Sequence, residues 1–397
     1  MISLRTLFLQ HVGQTSESPM GLEIKRAEGV FIYDTNNKPY LDLISGVSVS
    51  SVGHCNHLVV RAIQDQAAKY LHLMVYGEYI QAPQVQYAAA LTRLLPESLS
   101  QVYFVNSGSE ANEGALKLAK RYTGRTELIG FDKAYHGSTH GALSMMGDES
   151  FKNAFRPLLP DVQHLPFNRI DELKRITTRT AAVLIEPIQG EAGAIVPDKE
   201  FLIALRRRCS EVGALLIFDE VQTGFGRTGF LFAFQKFGVV PDVMTIAKGM
   251  GGGMPIGAFI SSAEIMGCLK TNPILGHITT FGGHPVSCAA AIANLQFIME
   301  EHLIDTVCEK ELLFKSALHH SLIKEVRGCG LFLAVELGDA DLVQKTIKKC
   351  LERGVIADWF LFCDTAFRIA PPLIITKEQI QMACSTIIGV LDELAGG

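Results

Sequence analysis

The sequence predicts an α/β fold: a large domain around a mostly parallel, doubly wound sheet, plus a small α+β domain built from both chain termini. Three observations carry this reading. Six short segments are apolar almost throughout, as strands covered on both faces must be. Amphipathic helical stretches separate them, and an alternating apolar and polar stretch stands near the start of the chain. At 397 residues the chain also exceeds what one hydrophobic core usually serves, about 250–300 residues.

Taken in order, GVFIYDTNNKPYLDLISG alternates around Asn36-Asn37 and predicts a hairpin with one solvated face. From about residue 60 helices alternate with the strands VYFVN (102–106), ELIGF (127–131), AAVLIE (181–186), ALLIFD (214–219), VMTIAK (243–248) and GAFIS (257–261). Beyond about residue 285 long helical patterns dominate, with LFLAVEL (331–337) and FRIAPPLII (367–375) as strands of the smaller lobe. No repeat or low-complexity linker marks a boundary. Changes of pattern place an N-terminal part of the small domain at 1–55, the large domain at 56–285 and the rest of the small domain at 286–397.

Charged residues make up 19% of the chain, below the usual 25% or so, which points to surface hidden in an oligomer. The net charge of −5 and the lack of any Lys/Arg cluster argue against nucleic acid as a partner. No stretch approaches the roughly 18 apolar residues of a membrane helix, and the N-terminus lacks a signal-peptide pattern. A cytoplasmic protein without a membrane partner is expected. The nine cysteines form no CxxC pair and read as buried free thiols. His54, Cys55 and His57 stand close together, but no second ligand cluster accompanies them and no metal is expected.

Open parallel sheets bind ligands beyond the carboxyl ends of their strands. Five of the predicted strands deliver polar groups there: Asn106 to Ser109, Tyr135 to Gly137, Glu186, Asp219 and Lys248. Ser107-Gly-Ser-Glu110 opens a helix whose Ala111, Ala115, Leu118, Ala119 and Tyr122 share a face, and it fits a capping box. A helix start of this kind is an ordinary cap or a phosphate site. The glycines after Lys248 lack the ending of a nucleotide-binding P-loop and do not satisfy GxGxxG. A buried Asp219 needs a cationic or protonated neighbour. A desolvated Lys248 loses basicity and becomes a nucleophile able to form a Schiff base.

Together these features resemble the class III aminotransferases, pyridoxal-phosphate enzymes of fold type I with a seven-stranded type of central sheet. The resemblance rests on GVFIYDTNNKPYLDLISG, VNSGSEANEGALKLAK, YHGSTHGA, EPIQGEAG, DEVQTGFGRTG, TIAKGMGGG, TTFGGHP, RGCGL and FRIAPPL, spread over almost the whole chain. It implies that Lys248 is the Schiff-base lysine and proton carrier and that Asp219 holds the cofactor ring nitrogen protonated. Val221 and Tyr135 would cover the two ring faces, Gln222 would meet the phenolic oxygen, and His136 and Glu186 would lie beside the cofactor. Ser107, Gly108 and Ser109 would cradle the phosphate, joined by Thr280 from a neighbouring subunit, which implies a homodimer with shared active sites. Arg368 would bind the α-carboxylate of glutamate and 2-oxoglutarate, and Glu191 would mask it for the other substrate. Arg227 reads as structural. Ser138 departs from the arginine that the ornithine and acetylornithine branches carry there. The implied reaction is ping-pong transfer from an ω-amino acid or other amine-bearing donor to a 2-oxo acid acceptor, 2-oxoglutarate. An aminomutase, racemase or decarboxylase on the same scaffold is the alternative.

Overall fold

The computed structural model describes residues 3–396. The first strands, β1 (Ile24–Glu28), β2 (Phe31–Asp34) and β3 (Pro39–Asp42), form an antiparallel meander. Its second turn is the predicted hairpin. Asp34 Oδ1 accepts from the Asn36 and Lys38 amides at 2.9 Å each, and Asn37 takes the left-handed conformation that asparagine tolerates well.

Seven strands follow in the central sheet: β4 (Gln101–Val105), β5 (Glu127–Phe131), β6 (Val162–Leu165), β7 (Thr180–Ile185), β8 (Leu215–Asp219), β9 (Val243–Ile246) and β10 (Gly257–Ser261). Their spatial order is β4-β10-β9-β8-β7-β5-β6. Only β10 runs antiparallel to its neighbours. β5, β7, β8, β9 and β10 are buried along their full length, which explains their predominantly apolar sequences. β6, VQHL, is the strand that the hydrophobic pattern did not reveal. It lies at the sheet edge, only Leu165 is fully buried, and its sequence is half polar.

The last strands are β11 (Glu325–Cys329), β12 (Phe332–Glu336), β13 (Val355–Ile356), β14 (Asp358–Phe360) and β15 (Cys363–Ile369). β13 pairs in parallel with β3, so the two ends of the chain share a four-stranded sheet. The others form a second small sheet, β11-β12-β15-β14. The segment 367–375 was expected to be strand throughout, but β15 starts earlier and stops at Ile369. Pro371 and Pro372 have no N–H to donate to a ladder.

Helix Gly108–Thr123 packs Ala111, Ala115, Leu118 and Ala119 against the central sheet and ends at left-handed Gly124. Tyr122, expected on that face, is 39% exposed, and its hydroxyl bonds Glu264. All nine cysteines are free, but Cys55 and Cys308 are exposed rather than buried. His54 pairs with Asp42 at 2.8 Å. Among the described residues no cluster is placed to hold a metal ion, and no helix is long and apolar enough to cross a membrane.

Candidate active site

The carboxyl ends of β5, β7, β8 and β9, with the segment following β4, converge on one cavity of about 550 Å³. Ser107, Gly108, Ser109, Tyr135, His136, Ser138, Glu186, Asp219, Val221, Gln222 and Lys248 all line it. Residues 253–256, which lead into antiparallel β10, line one side, and close packing demands Gly257 next to them: a Cβ would lie 2.4 Å from the Ser107 carbonyl oxygen.

Asp219 ends β8 directly after fully buried Phe218, whose packing locks the strand. Its carboxylate is 4% exposed but well partnered. Oδ2 accepts from Asn112 Nδ2 at 2.8 Å and meets His136 Nδ1 at 2.7 Å, while Oδ1 accepts the Val221 amide at 3.0 Å. With Asp219 ionised, Nδ1 of His136 carries the proton and donates it, leaving buried Nε2 without a partner. Asn112 also donates to the His136 carbonyl and accepts from Thr245, so one side chain ties helix Gly108–Thr123 to β9 and the Tyr135–Gly137 turn. The sequence reading missed Asn112. A polar residue among the alanines of a buried helical face was the available signal.

Lys248 stands two residues beyond β9 in a left-handed conformation, φ 46°, which costs a non-glycine residue about 1–2 kcal/mol. Its Nζ donates to Gln222 Oε1 at 3.1 Å, and the Gln222 Nε2 group has no partner. Lys248 is partly open to the cavity, yet burial holds its amine below the ordinary lysine range. The Glu191 carboxylate opposes that shift, and the Arg368 guanidinium adds to it. Glu186, just after β7, accepts the Tyr135 amide at 3.1 Å and the Gly190 amide at 3.0 Å. Burial pushes its carboxyl up to about 7, with His136 opposing and Asp219 adding to the rise.

Also on the cavity, Ser107 Oγ caps the helix by accepting the Glu110 amide at 3.2 Å. The second half of the expected capping box is absent. Glu110 Oε2 turns instead to the amide and side-chain nitrogen of Asn106, at 2.8 Å each. The amides of Gly108 and Ser109 belong to the first helical turn, where the helix itself supplies no acceptor. Gly108 is required by close packing, because a Cβ would stand 2.7 Å from Val221.

Arg368 and Glu191 do not line this cavity but adjoin it, near enough for both charges to act on Lys248. Arg368, on β15, is 2% exposed. Its Nη2 donates to Glu191 Oε1 at 2.6 Å, and its Nε has no partner. Ser138 is exposed at the rim, 3.3 Å from the Tyr135 hydroxyl. Thr280 is exposed and lies outside the cavity. Arg227 is wholly buried away from the site, donating to the carbonyls of Leu331 and Pro371 and to Ser45 Oγ.

These residues fit pyridoxal 5′-phosphate: one cavity gathers a helix start for the phosphate, a buried carboxylate, an amine, and an amide nitrogen without a partner beside that amine. Comparison with known proteins agrees. Residues 12–391 match the class-III aminotransferase family. An acetylornithine aminotransferase of Methanocaldococcus jannaschii is 42% identical, with 92% of each chain covered. The ornithine aminotransferase of Toxoplasma gondii superposes with a TM-score of 0.91 at 30% identity, covering 98% of this chain and 93% of that one. An (S)-enantioselective omega-transaminase from Thermomicrobium roseum gives a TM-score of 0.90 at 29% identity, covering 98% and 97%. The chain therefore belongs to the class-III aminotransferases, enzymes whose cofactor is pyridoxal 5′-phosphate.

Proposed function

We propose that this aminotransferase moves an amino group from an ω-amino acid or other amine-bearing donor to 2-oxoglutarate in a ping-pong cycle. The observation that carries this reading is the buried Arg368–Glu191 pair beside Lys248. One site that serves two substrates in turn needs a carboxylate clamp that can be withdrawn. With Glu191 displaced, the Arg368 fork is free for a bidentate bond to the α-carboxylate of 2-oxoglutarate. With Glu191 in place, the same position is neutral and admits a donor whose amine sits on an uncharged carbon.

When bound, pyridoxal phosphate supplies an aldehyde for imine formation and a ring that takes up electrons from the reacting carbon. The chain's own groups would then act as follows. Lys248 would bond the cofactor at rest and, once displaced, would carry the proton between the substrate's reacting carbon and the cofactor carbon that holds the imine nitrogen. Asp219, oriented by His136 and Asn112, keeps a proton on the ring nitrogen. The Gln222 amide meets the phenolic oxygen, and Tyr135 and Val221 cover the ring and exclude water. Ser107, Gly108 and Ser109 hold the phosphate, while Glu186 fixes Tyr135 and the Gly190 turn through their amides.

We infer a cytoplasmic homodimer, with residues 1–55 and 286–397 forming one lobe against 56–285. Exposed apolar groups support the dimer: Ile80 is 95% exposed, Ile274 74% and Phe281 53%. A second copy covering this face would carry Thr280 to its neighbour's phosphate. Ser138 offers no charge to a second donor carboxylate. The test is a donor screen against 2-oxoglutarate with 4-aminobutyrate, ornithine, N-acetylornithine, lysine and β-amino acids. Glutamate is the expected product with at least one donor, and its absence with all of them would refute the reading.

A further inference from the structure

Two arginines of the small lobe grip the loop that carries Glu191. Arg327 on β11 is paired across the sheet with Ala334 on β12, which in turn is paired with Arg368 on β15. Residues in one cross-strand row share a face, and here the residue between the two guanidinium groups is only an alanine. Arg368 holds the Glu191 side chain, while Arg327 Nε donates to the carbonyl of Gly193 at 2.7 Å. Arg327 Nη1 donates to Glu336 Oε2 at 2.9 Å and to Glu325 Oε2 at 3.4 Å, and Nη2 donates to Cys363 Sγ at 3.3 Å.

The loop is tightly wound between these two grips. The amides of Gly193 and Ala194 both donate to the Gly190 carbonyl, Gly193 has φ 96° and Ala194 φ 54°, and Gln189 bridges Ile195. Gly193 leaves no spare room, since a Cβ there would lie 2.5 Å from Arg327 Nη2. On the other side, the Leu361 amide donates to Glu191 Oε2 at 3.1 Å and the Phe362 amide to the Glu191 carbonyl at 3.0 Å. The Arg327 grip therefore anchors the main chain two residues beyond the one side chain that has to move.

We propose that Arg327 is a positioning residue that holds the Glu191 loop in its masking position over Arg368 and so sets how readily the site accepts a dicarboxylate. The proposal rests on the reading of Glu191 and Arg368 as a withdrawable clamp. Arg327 touches neither substrate nor cofactor; it acts through the loop. Loss of its bond to Gly193 lowers the cost of withdrawing Glu191, so a dicarboxylate binds more tightly and a donor that needs the masked state binds less well.

Glutarate, which binds without reacting, is the probe, titrated calorimetrically into the cofactor-loaded enzyme. Arg327→Met should tighten glutarate about three- to tenfold, the effect of one net hydrogen bond on an equilibrium. Arg327→Lys, which retains a donor and the charge, should restore part of the wild-type value. In a Glu191→Ala background, where the mask is gone, Arg327→Met should add nothing. A wild-type glutarate affinity in Arg327→Met, or the same tightening in both backgrounds, would overturn the proposal. If Glu191→Ala alone leaves glutarate binding unchanged, the clamp itself is wrong. Should Arg327→Met fail to fold, Glu336→Gln loosens the same guanidinium, and the same outcomes apply.

Discussion

Gly137→Ala tests whether the turn after Tyr135-His136 and the helix start at Ser109 form one rigid cradle. Gly137 has φ 124°, a region that L-residues rarely adopt, and a Cβ would stand 2.3 Å from Ser109 Oγ, 2.6 Å from its Cβ and 2.9 Å from its Cα. The last distance involves backbone, so a rotamer change at Ser109 does not relieve it. Backbone strain of about 1–3 kcal/mol and overpacking of about 1–3 kcal/mol sum to about 2–6 kcal/mol. At about 2.1 cal/mol/K per residue, a chain of 397 residues unfolds with an entropy near 0.8 kcal/mol/K, so Tm should fall by about 2–7 °C. If Ser109 holds the phosphate as proposed, moving it would also cost a hydrogen bond to that group and weaken pyridoxal phosphate about tenfold or more. Calorimetry of the cofactor-free protein and an absorbance titration read these two effects. Gly124→Ala is the control: Gly124 is left-handed but nothing lies within 4 Å of an added Cβ, so a cost of about 1 kcal/mol and no loss of cofactor affinity is expected. A Gly137→Ala protein indistinguishable from that control would refute the cradle.

Lys248→Ala should abolish the visible absorption of lysine-bound cofactor and all turnover, while leaving the fold intact by circular dichroism. Because burial lowers the Lys248 pKa, its neutral amine is available below the ordinary lysine range; the rate of cofactor attachment should therefore rise with pH and level off at an inflection below 10.5, and an inflection at or above that value would contradict the burial argument. Arg368→Ala should raise KM for 2-oxoglutarate about tenfold to a hundredfold, through loss of charge-assisted hydrogen bonds worth about 1.5–3 kcal/mol, and steady-state kinetics check this. Ser138→Arg should raise activity toward donors with a second carboxylate, and an unchanged donor panel would show that position 138 does not select.

The strands around the site were legible because burial on both faces leaves a mostly apolar run ending in a charged residue, as in LLIFD and VMTIAK. Edge strand β6 carries no such pattern, since three of its four residues are only partly buried. Local pattern pointed Glu110 to the Ser107 amide of a standard capping box, whereas in the structure a second pair of donors, on Asn106, takes it. The second wins because the side chain of Asn106 adds another hydrogen bond. Asn112 was hidden for the opposite reason. Its three contacts join residues 24, 107 and 133 positions away, and no local spacing encodes them. The strand ends revealed which polar residues meet, but not that Arg327 and Arg368 share a cross-strand row, because that depends on the register of β11, β12 and β15.

The most direct test is a single turnover without acceptor. Cofactor-loaded enzyme is mixed with L-glutamate while the visible band and the released keto acid are followed together. Conversion of the cofactor to its amine form with one 2-oxoglutarate per site, lost in Lys248→Ala and strongly slowed in Arg368→Ala, is the predicted result. Release of carbon dioxide or D-glutamate without formation of the amine form would contradict it.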